Sequence, residues 1–218
     1  MSHRALLVFS ALMIIAPVPA AAKTRELNDY GRLIRVRNAE AIAGIPTKVM
    51  SDAELRKYLQ QVAAKAEEYL SVPAKENAEL IIKEVKLKHP TRAALVNAAN
   101  GCVVTGHPEE ALYILGKLCN EDPTQTDNLS NYAAFLTMTG GGNAAIPILL
   151  KLNQRFPGNS TVLNNLGQAW FNLGDLEEAE KYLDAAIRAF AYHPQANYTK
   201  SIIEGSKGNK AAAVEALK

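Results

Sequence analysis

The sequence predicts an all-α solenoid of antiparallel helix pairs, and three observations carry that prediction. Gly106, Gly140, Gly174 and Gly208 recur at an interval of 34 residues. Ala111, Ala145, Ala179 and Ala213 keep the same interval, as do Leu115, Leu149, Leu183 and Leu217. Between these markers the apolar residues fall at helical spacing, so each period holds two amphipathic helices and a turn. One such pair cannot bury both of its apolar stripes alone, so stacking on its copies is the expected solution.

Composition sets the outer limits. A chain of 218 residues, 48% hydrophobic and 21% charged, is ordinary for a folded soluble protein. Lys+Arg 24 against Asp+Glu 22 gives no electrostatic reason to expect nucleic acid as a partner. Two cysteines exclude a disulfide-dense scaffold and a four-cysteine zinc site.

Residues 1–22 read MSHRALLVFSALMIIAPVPAAA. Arg4 precedes an apolar stretch from Ala5 to Ala16, and Pro17 and Pro19 break it ahead of Ala20-Ala21-Ala22. This is the layout of a secretory signal peptide cleaved before Lys23. An uncleaved anchor is the alternative, but the stretch is short for a hydrocarbon core of ~30 Å. The expected mature chain is exported, periplasmic or secreted, with no later run long enough to span a membrane. Residues 23–50 carry Arg32, Arg35 and Arg37 without a sustained period. They are expected to form a flexible basic leader, or one with a short strand or helix within it.

A degenerate repeat is expected over 51–91. Ser51 and Glu54 form a capping-box start, and Leu55, Tyr58, Leu59, Val62, Ala66, Tyr69 and Leu70 share a face. Pro73 is expected to end that helix; Ala78, Ile82 and Val85 follow at second-helix spacing, and Pro90 closes the unit. Placing each marker glycine fifteenth gives repeats 92–125, 126–159 and 160–193, and a partial repeat 194–218. In the third, Leu163, Leu166, Gly167 and Trp170 form one stripe, and Ala179, Leu183, Ala186 and Ile187 the other. Asp175, with Glu178, is placed to cap the second helix. Pro123 and Pro157 end the second helices of their repeats. Gly140-Gly141-Gly142 and Pro147 mark either a hinge or a tolerated irregular turn. The fourth repeat is expected to be frayed, paired with another molecule, or truncated.

Leu163, Leu166, Gly167, Trp170, Gly174, Ala179, Leu183 and Ala186 resemble the tetratricopeptide repeat family, with weaker sets in the neighbouring repeats. The family's terminal proline is missing at Ala191, and with Pro194 three residues on, the second helix is expected to reach about His193. Lys65 stands where the family prefers leucine, which marks 51–91 as an N-terminal cap. The resemblance implies a right-handed superhelix whose concave groove is lined by first helices.

As in that family, repeat positions 2, 5, 6, 9, 12 and 13 are placed on the groove side. They supply Asn97, Asn100, Asn131, Asn164, Asn165, Gln168 and Asn172, with Phe171, Val103, Val104, Met138 and Tyr198 as apolar surface. An amide donates and accepts, so such a ladder suits the backbone of an extended peptide; equally, it suits cross-links between neighbouring helices. Chaperone-binding members of the family clamp a terminal carboxylate with lysine and arginine at positions 5, 6 or 9. Here those positions hold Val96, Asn97, Asn100, Ser130, Asn131, Ala134, Asn164, Asn165 and Gln168, which disfavours that role.

No catalyst is nominated. His89, His107 and His193 each sit beside a proline, and none shares a helix face with another at i, i+4, so no metal site or cofactor is expected. Cys102 and Cys119 lie roughly 10 Å apart along the hairpin axis, beyond the ~7 Å limit for a bridge, and are expected to be free and buried. The reading is a non-catalytic scaffold that binds a partner protein or extended peptide in its groove. The alternative is a subunit of an envelope assembly, such as a secretion or pilus apparatus, docking through its outer face or C-terminal end, with self-association through the partial repeat.

Overall fold

In a computed structural model the described residues are 33–217; the signal-type segment, the start of the leader and Lys218 lie outside them. Eleven helices and no strands are found among the described residues. Contacts divide the chain into two units. The central unit is Pro46–Leu152, and the split unit joins the described residues up to Ile45 to those from Asn153 onwards. The central unit holds α2 (Asp52–Tyr69), α3 (Val72–Lys88), α4 (Arg92–Val104), α5 (Pro108–Glu121), α6 (Thr126–Met138) and most of α7 (Gly142–Arg155). The split unit holds α1 (Ala39–Ala43), the end of α7, α8 (Ser160–Asn172), α9 (Leu176–Ala189), α10 (Pro194–Ser206) and α11 (Lys210–Glu215).

The 34-residue recurrence has a backbone cause. Gly106, Gly140, Gly174 and Gly208 stand between paired helices with φ of +85, +94, +75 and +82°, the left-handed region that glycine enters without steric cost. The recurring alanines and the first three leucines of the set are fully buried at 0% exposure. Gly167 shows why a small residue is needed: a Cβ there would lie 2.6 Å from Leu183 Cγ and 3.2 Å from Leu183 N. In the split unit Leu163, Ala179, Leu183, Ala186, Ala196 and Ile203 form one buried cluster, against which Trp170 and Phe171 pack half-buried.

Caps set the helix starts. The Ser51 hydroxyl accepts from Glu54 N at 3.3 Å and Glu54 Oε2 accepts from Ser51 N at 2.6 Å, a complete capping box. Asp175 Oδ1 accepts from Glu178 N at 3.3 Å, but Glu178 turns to Lys181 at 2.9 Å, so this box is half formed. Cys102 and Cys119 are buried, free thiols.

Four expectations change. Pro73 does not end a helix: α2 stops at Tyr69, Ser71 caps α3, and Pro73 occupies its first turn, where the missing N–H is needed by no partner. The second helix of the third repeat stops at Ala189, because Phe190 turns to φ −149° and His193 becomes the N-cap of α10, its Nδ1 accepting from Ala196 N at 3.4 Å. Then α2 is not the first helix of a repeat hairpin. It packs on α5, its Tyr58 hydroxyl donates to Ala144 O at 3.1 Å, and Asp52 pairs with Lys151 of α7 at 2.9 Å, so it lies against second helices. Burial of the Tyr58 phenol pushes its pKa up to about 12. Finally, the described part of the leader holds the short helix the sequence allowed, α1, but the residues before α1 rest on the α8–α9 turn instead of lying free.

Candidate functional site

First helices α4, α6 and α8 carry the residues proposed to meet a partner. In the central unit, Asn97 is exposed and Asn131 is partly exposed. Asn100 is partly buried, and its Oδ1 has no hydrogen-bond partner. On α6 the buried Asn128 likewise has an unpartnered Nδ2, a residue the repeat register did not single out. Val104 and Met138 stand in solvent at the ends of their helices.

In the split unit Asn164 and Gln168 are spent internally. Asn164 is 1% exposed; its Nδ2 donates to Gln195 Oε1 at 3.2 Å and to Asn165 Oδ1 at 3.3 Å. Gln168 Nε2 donates to Thr199 Oγ1 at 2.7 Å and to Asn164 Oδ1 at 3.3 Å. These bonds tie α8 to α10, the first helix of the following repeat. A buried amide left without such partners would be costly, so the pairing fixes how these two helices meet. Sequence reasoning missed Gln195 and Thr199, although they hold positions 2 and 6 of the fourth repeat, both on the groove side, and Thr199 stands where Asn97, Asn131 and Asn165 stand in the other repeats. Asn165 and Asn172 remain partly exposed, and Phe171 is half-buried against the cluster.

The charge of this region lies elsewhere in the split unit. Lys200 of α10, only 18% exposed, meets Glu180 at 3.1 Å, Asp184 at 3.0 Å and Glu204 at 3.3 Å. Burial opposes its charge, yet Asp184 and Glu180 outweigh it and raise the ammonium's pKa. This network locks α9 to α10. In the central unit α3, α4 and α5 bound a cleft of about 340 Å³ floored by Ile82, Leu95, Ile114 and Leu118. Asn120 on its wall has a buried Oδ1 without a partner. No grouping of histidine, cysteine, aspartate and glutamate fit to hold a metal occurs among the described residues. No described helix is long and apolar enough to cross a membrane.

Residues 142–202 match a tetratricopeptide repeat family model. This stretch covers the α7-to-α10 run, including the hairpin that carries the strongest repeat pattern. No match was found among curated proteins. Solved structures do match. The chain is similar to MamA of Desulfovibrio magneticus RS-1, from residue 41 to its end, with 14% identity and a TM-score of 0.53 over 77% of this chain and 93% of that one. A second MamA crystal structure gives 18% identity and a TM-score of 0.51 over 68% and 92%. A double mutant of the RS-1 MamA gives 15% and 0.51 over 77% and 92%. At such identities the likeness establishes the fold alone: an all-α solenoid of antiparallel helix pairs.

Proposed function

We propose that this protein is an exported, non-catalytic scaffold whose first-helix faces hold a partner protein or an extended peptide. One observation carries the reading. The sixth residue of each complete repeat is asparagine, and Asn97, Asn131 and Asn165 all reach solvent at least partly, while their neighbour Asn164 is buried. A buried amide is a helix cross-link; a solvated one repeated at the same register is a means of contact. Each hydrogen bond to a partner backbone contributes roughly 0.5–1.5 kcal/mol net, so several are needed. Packed hairpins keep the ordering entropy lost on binding small.

The test is a pulldown from envelope extract with the mature chain, repeated with Asn131 and Asn165 both replaced by alanine. Capture that weakens several-fold supports the reading, and unchanged capture refutes it. Export rests on residues 1–22, and finding the chain uncleaved in the cytoplasm sinks that part. Docking into an envelope assembly through the C-terminal end is the second reading. It is favoured by Leu217, 55% exposed, where the matching Leu115, Leu149 and Leu183 are fully buried. A concentration-dependent change of size in solution distinguishes it.

A further inference from the structure

The α8–α9 turn of the split unit holds a segment 138 residues earlier in the chain. Arg37 Nε and Nη2 donate to Asp175 Oδ2 at 3.0 and 2.9 Å, and Asp175 is only 13% exposed. Asn38 N donates to Leu173 O at 2.8 Å, while its side chain caps α1 through Ala41 N at 3.0 Å. The backbone of residues 35–37 crosses the bare face of Gly174 so closely that a Cβ there would lie 2.6 Å from Arg35 O and 2.7 Å from Arg37 N. A charge-assisted pair, a backbone hydrogen bond and a close backbone approach thus converge on one turn.

The equivalent turns lack this arrangement. A Cβ at Gly106, Gly140 or Gly208 meets nothing within 4 Å. The residues that follow them are His107, Gly141 and Asn209, none of which carries a carboxylate. Period and backbone are shared; the acidic cap and the occupant belong to the third repeat.

We infer that the Gly174–Asp175 turn is an intramolecular receptor for an extended arginine-bearing segment, and that residues 35–38 are its strap. Asp175 divides its two oxygens between capping α9 and receiving Arg37. The strap is held mainly through a surface ion pair and one hydrogen bond, so it opens without unfolding the repeat and its hold weakens as salt screens the pair. The ligand class is defined by the contacts: an extended backbone with a free N–H just after an arginine.

Hydrogen exchange on the full mature chain tests this. Residues 35–42 are expected to be protected at low salt, with exchange rising at 1 M salt, where the screening length is about 3 Å. Asp175→Asn keeps a good N-cap but loses the charge, and is expected to speed exchange of this segment roughly three- to tenfold and to remove its salt dependence. Gly174→Ala is expected to release the strap outright. Gly208→Ala adds the same left-handed strain in an open turn and is expected to leave the strap protected. Exchange of peptides from α9 in each variant reports whether the hairpin itself remains folded. Wild-type exchange at the rate of an unstructured peptide overturns the inference. So does an Asp175→Asn chain that behaves as wild type, or equal release by Gly174→Ala and Gly208→Ala.

Discussion

The third and fourth repeats, both in the split unit, carry the same markers and use them differently. Gly174 and Gly208 have nearly the same conformation, φ +75 and +82°, yet only Gly174 is covered. Leu183 and Leu217 hold the same repeat position, one fully buried and the other 55% exposed. Gly167 lets Leu183 approach closely, while its counterpart Ser201 turns its hydroxyl to Tyr198 O at 2.7 Å. Asp175 caps its helix and Asn209 makes no cap bond. The lesson is that periodic residues set a backbone, and the neighbours set what each residue is worth.

That contrast can be broken pair by pair, with urea unfolding followed by Trp170, the chain's one tryptophan, as the probe. The largest effect is expected from Leu183→Ala, a loss of about 2–5 kcal/mol, against less than about 0.5 for Leu217→Ala. Equal losses at the two sites would erase the distinction. Gly167→Ala is expected to cost about 1–3 kcal/mol by overpacking, and less in a Leu183→Ala background, where the methyl finds room. Strict additivity in the double variant would show that the close approach is not the cause.

Smaller effects sharpen the comparison. Asp175→Ala removes a cap and is expected to cost about 1 kcal/mol, whereas Asn209→Ala, with no cap bond to lose, is expected to change stability by less. Smallest is the joint between the two repeats. His193, 2% exposed, accepts the α10 cap bond in its neutral form, and burial holds its pKa below the ordinary value of 6.5. The unfolded chain therefore takes up the proton first. The contribution is complete above about pH 6.5 and declines as pH falls below it. His193→Asn keeps an acceptor without a titration, so the wild-type slope between pH 7.5 and 5 should flatten. A slope unchanged by that substitution would assign the acid sensitivity elsewhere.

Some of the site was legible from residues and some was not. The register puts Asn164, Asn165 and Gln168 on one side of α8, but it names a face and not a depth. Whether that face meets solvent or α10 depends on Gln195 and Thr199, which lie about thirty residues further on. The apolar stripe of α2 was equally readable. Leu55, Leu59 and Val62 demand a cover without saying whether α3 or α5 provides it. Proline was read as a stop at Pro73, where it serves as a start, because the same missing N–H suits either end.

By itself the sequence determined the helix pairs, the glycine turns, the buried alanines and leucines, and most of the caps. These follow from steric limits and hydrogen bonds that act within a few residues. Tertiary structure alone decided the seat of α2, the tie of α8 to α10, the exposure of Leu217 and the strap on Gly174. Each of those depends on a surface supplied from far along the chain, and a repeating pattern offers several surfaces that local chemistry cannot tell apart.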